Sequence, residues 1–158
     1  MADRPLQGVG ILVTRPRTQA TELVNAIEQQ GGRAYCFPVM EIAPFDDNVV
    51  QQQAAELQQP DIVIFISRNA VEHGIQYTHG GKTAVIGPAT ANAVMAAGRV
   101  VDIQPASGFD SEHLLAEASL QDVAGKVVRI IRGTSGRELL AETLTARGAT
   151  VEYLSVYA

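Results

Sequence analysis

Val127–Leu140 reads VVRIIRGTSGRELL. The β-favouring run Val127–Ile131 leads into a Gly-Thr-Ser-Gly turn, and Glu138, three residues after Ser135, opens a helical pattern whose apolar face starts at Leu139 and Leu140. The stretch is predicted to be a strand, a tight loop and a helix N-terminus. Backbone N–H groups left free at such an N-terminus, backed by the positive end of the helix dipole, suit an anion. Thr134 and Ser135 lie in the loop, and Arg132 and Arg137 flank it with guanidinium groups that can grip a carboxylate or phosphate in bidentate fashion. The competing reading makes Ser135 a helix cap and both arginines solvated surface charges.

The same plan recurs at Ile11 (ILVTRPRTQATELVNAI), Ile62 (IVIFISRNAVEHGI), Ala84 (AVIGPATANAVMAAG) and Val100 (VVDIQPASGFDSEHLLAEA), giving five βα units in all. Short Val, Ile and Phe runs alternating with helical patterns specify a parallel sheet covered on both faces, an α/β fold of the flavodoxin-like, doubly wound kind. Ligands of such sheets bind outside the carboxyl ends of the strands, so Thr14, Ser67, Thr90, Ser107 and Thr134 occupy the predicted ligand edge. Neither spacing nor residues recur at a fixed period, which excludes a solenoid.

A chain of 158 residues with 46% hydrophobic content can bury one ordinary domain, or one plus a piece of another. Its net charge of −5 argues against a nucleic-acid partner. Ten of the twelve basic residues are Arg, and Arg15, Arg17, Arg68, Arg132 and Arg137 fall in or beside the ligand-edge loops. That placement points to a polycarboxylate, although loops are also where charges ordinarily go. Cys36 stands alone and reads as a small apolar strand residue. His73, His79 and His113 lack metal-site spacing, so no metal is predicted. The start MADRPLQGVG has no long apolar segment and no run approaches a membrane span, so a soluble, cytoplasmic protein without a membrane partner is expected.

In chain order, Gly8–Thr14 is a predicted strand and Thr18–Gln30 a helix with Leu23, Val24 and Ile27 inward, ended by Gly31-Gly32. Two prolines in AYCFPVMEIAP, from Ala34 to Pro44, mark an edge or a linker. Asp46 or Asp47 caps a Gln-rich helix through Leu57, and TVEYLSVYA from Thr150 is a strand still running at Ala158. The expected organisation is a partial first domain over 1–37, a linker over 38–45, a complete second α/β domain over 46–152 and a return strand over 153–158. The chain is thus expected to be the first portion of a two-domain protein, and self-association through the incomplete first domain is expected from its unpaired strand edges.

VTRP of Val13–Pro16, Phe-x-Ser-x-x-Ala-Val of Phe65–Val71, Ile-Gly-x-x-Thr-Ala of Ile86–Ala91, Ser-Glu-x-Leu of Ser111–Leu114, Arg-Gly-x-x-Gly-Arg-Glu-x-Leu of Arg132–Leu140 and the terminal Val156-Tyr157 resemble uroporphyrinogen-III synthase. The set spans nearly the whole chain in order, though members of that family are longer. The resemblance implies closure of the linear tetrapyrrole hydroxymethylbilane to uroporphyrinogen III, with inversion of the last pyrrole ring and loss of water, and no cofactor. It implies substrate contacts at Ser67 and Thr90, and a proton-donating role for Tyr157. With the ligand-edge loops, the expected substrate-binding residues are Thr14, Arg15, Ser67, Arg68, Thr90, Arg132, Thr134, Ser135 and Arg137. Ser67 and Thr90 also read as helix caps, the more common use and one compatible with a substrate contact, and Tyr157 reads equally as a packing aromatic.

Other functions on the same architecture fit less well. A flavin carrier would want aromatics to sandwich its ring, but only 5% of residues are aromatic and Trp is absent. A receiver domain needs a phosphoacceptor Asp at a strand end, where this chain has Ser67, Gly87, Pro105 and Gly133. A periplasmic-type module would carry an export signal. A non-catalytic ligand-binding or regulatory module with the same cleft is the remaining alternative.

Overall fold

All four residues of β3 (Ile62–Phe65) are buried, as a strand covered on both faces must be. The computed structural model describes residues 4–158, and the chain divides into two units, Met1–Ala43 and Pro44–Ala158.

In the second unit β3 pairs in parallel with β4 (Lys82–Val85) on one side and β5 (Val127–Gly133) on the other, and β6 (Thr150–Tyr157) extends the sheet beyond β5. Ile62 stands opposite both Lys82 and Val128, so β3, β4 and β5 start nearly level. One face carries Ile62, Ile64, Val128 and Ile130 against Leu114 and Leu115 of α5 (Ser111–Ala116) and Leu140 and Leu144 of α6 (Leu139–Ala146). The other carries Val63, Phe65, Ile131, Leu154 and Val156 against α2 (Asp47–Glu56), α3 (Arg68–Gly74) and α4 (Pro88–Ala96). Gly74 lets α3 lie close to that face, because a Cβ there would collide with Ile131 Cγ2.

The fourth predicted βα unit lacks its strand. Its Val100 stretch contributes one parallel bridge, Ile103 to Ala84. The edge of β4 is satisfied in another way: the Thr83 N–H donates to the Asp102 carboxylate at 2.7 Å, and the Ile103 N–H donates to the Thr83 carbonyl at 3.1 Å. Pro105, with no N–H to offer, follows two residues later.

Asp46 caps α2 by accepting the Asn48 N–H at 2.9 Å. Pro44 forms an antiparallel bridge with Tyr157, and the Phe45 N–H donates to Val156 O at 3.1 Å, so the entering segment runs beside the end of β6.

The first unit contains β1 (Gly10–Val13) paired in parallel with β2 (Arg33–Cys36) and the helix α1 (Thr21–Gln29). A 3₁₀ turn over Arg17–Gln19 follows Pro16, so the helix begins later than its polar pattern predicts. Gly31, at φ +84°, ends it as expected. Val13, Ala20 and Ile27 form this unit's buried core. Cys36 is exposed. No helix among the described residues is long and apolar enough to cross a membrane.

Candidate functional site

From β3 the chain builds outward to β4 and the Ile103 bridge on one side, then crosses back to place β5 and β6 on the other. The order therefore reverses between β3 and β5, the place where open α/β sheets form a ligand crevice at their carboxyl ends. Ser67 follows β3 there and Thr134 follows β5.

Ser67 does two things at once. Its Oγ accepts the Ala70 N–H at 3.0 Å and caps α3, and it lies 3.2 Å from the Tyr157 hydroxyl. The cap that the sequence suggests and the contact with Tyr157 coexist in one side chain. Tyr157 closes β6 and is fixed from several directions. Its carbonyl accepts the Thr134 N–H at 3.0 Å. Gly133 leaves room for its ring, since a Cβ there would lie 2.6 Å from it. The His73 ring of α3 packs against it, with centroids 6.2 Å apart and tilted by 59°. With one Ser67 lone pair taken by Ala70, the Ser67 hydroxyl hydrogen can point at the phenol oxygen. The phenol hydrogen is then available to an outside acceptor.

Thr134, Ser135, Gly136 and Arg137 are exposed in the loop after β5. Ser135 does not cap α6, which begins at Leu139. The capping-box reading fails because Glu138 is drawn elsewhere: its Oε1 accepts from Arg132 Nη1 at 2.8 Å, and its Oε2 accepts the Tyr153 hydroxyl. Burial, followed by the bond to Glu138, pushes the Tyr153 phenol up to about 12. The same Tyr153 bond, with Arg132 second, holds the Glu138 carboxyl below its usual range. Arg132, expected as an open carboxylate grip, is buried instead, with its guanidinium 4.6 Å from the centre of the Tyr153 ring. Arg137 is exposed and pairs with Glu112 of α5, which raises the pKa of the arginine and lowers that of the glutamate.

Thr90 sits in the first turn of α4, almost fully buried, while Gly87 occupies the cap position and its carbonyl accepts the Thr90 N–H at 3.1 Å. Arg68 is the exposed first residue of α3. Ser107 lies in the loop before α5. Thr14 and Arg15 are exposed after β1 in the first unit. Sequence reasoning did not single out Glu112, Glu138, His73 or Gly133 as parts of the site. A Gly at the end of β5 was the one visible signal, since glycine in a strand often marks a close approach. No group of three or more His, Cys, Asp or Glu among the described residues could hold a metal ion.

Residues 21–158 match the family model described as Uroporphyrinogen-III synthase HemD. The chain is 35% identical to the uroporphyrinogen-III synthase of Salmonella typhimurium, over 94% of its own length and 64% of that protein's. It is 34% identical to the Escherichia coli protein of the same name with the same coverage, and 32% identical to the Proteus mirabilis one, covering 94% of this chain and 79% of that one. The chain therefore spans slightly under two thirds of the Salmonella and Escherichia proteins. Among solved structures, a mutant uroporphyrinogen III synthase of Thermus thermophilus superposes with a TM-score of 0.73 at 20% identity, covering 94% of this chain and 62% of that one. A family match over most of the chain, joined to the parallel α/β sheet, leaves one assignment: the chain belongs to the uroporphyrinogen-III synthase family.

Proposed function

We propose that the protein cyclises hydroxymethylbilane to uroporphyrinogen III in the cytoplasm, inverting the last pyrrole ring and releasing water. The observation that carries this reading is the Ser67–Tyr157 pair at the point where the sheet order reverses. Loss of the substrate hydroxyl needs a proton on the departing oxygen, and the Tyr157 phenol supplies it as the C–O bond breaks. Ser67, donating to the phenol oxygen, then stabilises the phenolate that remains until a proton released on ring closure restores it.

Carboxylates of the substrate are received by the exposed loop hydroxyls of Thr134 and Ser135, by Arg137 after exchange with Glu112, and by Arg68. Thr14 and Arg15, exposed after β1, are the first unit's own candidates for a substrate carboxylate, and Thr90 stiffens the turn at Gly87. Most of the catalytic task is orientation, because the substrate must be held so that the inverted closure outruns the uninverted one.

The test is to supply enzymatically generated hydroxymethylbilane, oxidise the product and separate the porphyrin isomers beside a no-protein control. Isomer III above the control is the expected result. Isomer I alone would be followed by the same assay on the polypeptide extended by whatever coding sequence follows Ala158, and isomer I alone there too would overturn the reading.

A further inference from the structure

Arg132 is the least accessible charge at the ligand edge, and its surroundings are closed. Its side chain is 6% exposed. Nη1 donates to Glu138 at 2.8 Å, and the Tyr153 ring covers one face of the guanidinium. A Cβ at Gly136 would lie 3.0 Å from Nη2, so the loop backbone itself is laid against the cation. Both oxygens of Glu138 are engaged, one by Arg132 of β5 and the other by Tyr153 of β6. The last residue of the loop is thereby fastened to two neighbouring strands. Arg132 has committed Nη1 to Glu138 and is almost wholly buried, so a direct grip on a substrate carboxylate would need Glu138 to leave or the loop at Gly136 to move off Nη2.

We propose that Arg132 is a positioning residue, which through Glu138 and Tyr153 holds the loop 134–138 in the shape that receives a substrate carboxylate. The proposal rests on the reading of that loop as a carboxylate site. Physically, the clamp removes conformational freedom from Thr134, Ser135 and Gly136 before the ligand arrives, so that binding does not have to order them. Gly136 lies against the device: a Cβ there would stand 3.0 Å from Nη2, close enough that the loop or the guanidinium would have to give by a few tenths of an ångström.

A direct ligand role and a positioning role predict opposite signs at Glu138. If Arg132 is a ligand masked by Glu138, then Glu138→Ala unmasks it and lowers KM. If Arg132 works through Glu138, then Glu138→Ala and Arg132→Met each raise KM for hydroxymethylbilane, about tenfold, with kcat changed less than about twofold, and the double variant is no worse than either alone. Arg132→Lys restores part of the affinity by reaching Glu138 but not the rest of the cradle. A fall in KM for Glu138→Ala, or additive losses in the double variant, would overturn the proposal.

A second readout needs no substrate. The Arg137–Glu138 bond is a tryptic site within the clamped loop, and it is unchanged in Arg132→Met and in Tyr153→Phe. Cleavage there, relative to cleavage elsewhere in the chain, should quicken about tenfold in Arg132→Met and less in Tyr153→Phe, as opening of the loop becomes more frequent. Equal cleavage in all three proteins overturns the clamp even where the isomer assay succeeds. Faster cleavage in a protein that makes no isomer III, either as this chain or extended, would keep the clamp and discard the substrate reading.

Discussion

A phenol is a weak acid, and Tyr157 can serve as a proton donor only if its hydrogen is presented and its conjugate base is accommodated. Ser67, 3.2 Å from the phenol oxygen, can meet both by donating to it, and Gly133, with no side chain under the ring, leaves room for the ring to reach that partner. Tyr157→Phe keeps the ring and its packing, so kcat should fall about a hundredfold, within the range of general-acid contributions, while KM changes little. Ser67→Ala removes two things: a helix cap, worth about 1 kcal/mol, and the partner of the phenol. Its thermal midpoint should drop and kcat should fall about tenfold, whereas Ser67→Thr, which can still cap, should recover most of both. Single-turnover formation of isomer III measured beside thermal unfolding separates the two effects. An undiminished kcat in Tyr157→Phe would take Tyr157 off the catalytic list.

At the scale of elements, β5 and β6 are joined by more than their ladder. Arg129 and Glu152 stand opposite each other in register with side chains 3.3 Å apart, both largely removed from water. Arg129 also donates to the Gln58 carbonyl, and the Gln58 N–H returns a bond to Glu152 at 3.3 Å, so the segment after α2 is tied to the sheet. Removing one partner strands a buried charge, and Glu152→Ala should cost about 3 kcal/mol in urea unfolding. Changing Arg129→Met and Glu152→Leu together should be close to neutral, because no charge is then left unpaired. A near-neutral Glu152→Ala would mean that water reaches Arg129.

The same contrast between local and distant partners explains what could be read from the sequence. Ile62–Phe65 and Val127–Ile131 announce themselves because every residue but Arg129 is apolar and β-favouring, and no distant contact alters that. Ser135 and Glu138 also match a local pattern, the capping box, but Arg132 and Tyr153 offer Glu138 a stronger bond than the Ser135 N–H does, and the helix starts later. Val100–Ile103 has strand composition, yet the Asp102 carboxylate takes the ladder position on Thr83. The pairing of Ser67 with Tyr157 joins residues ninety apart, and no spacing rule brings them together.

The whole molecule is unevenly sustained. The second unit has two apolar layers around a covered sheet, whereas the first rests on Val13, Ala20 and Ile27 beneath two strands. Two strands alone are marginal in water, and here Leu12, Tyr35 and Phe37 are exposed, at 61%, 50% and 63%. An apolar, thinly paired strand surface recruits another chain by the same hydrogen bonds and burial that extend a sheet. The chain should therefore sediment heavier than its 16.8 kDa monomer at tens of micromolar, a concentration regime where exposed edges associate. Leu12→Lys, a charge placed on that strand surface, should shift it toward the monomer. The unfolding transition of the second unit should be unchanged in Leu12→Lys, because its core draws on none of these residues. A monomer at every concentration, with Leu12→Lys indistinguishable from the unsubstituted chain, would show that the two strands are stable without a partner and that their exposed side chains serve something other than assembly.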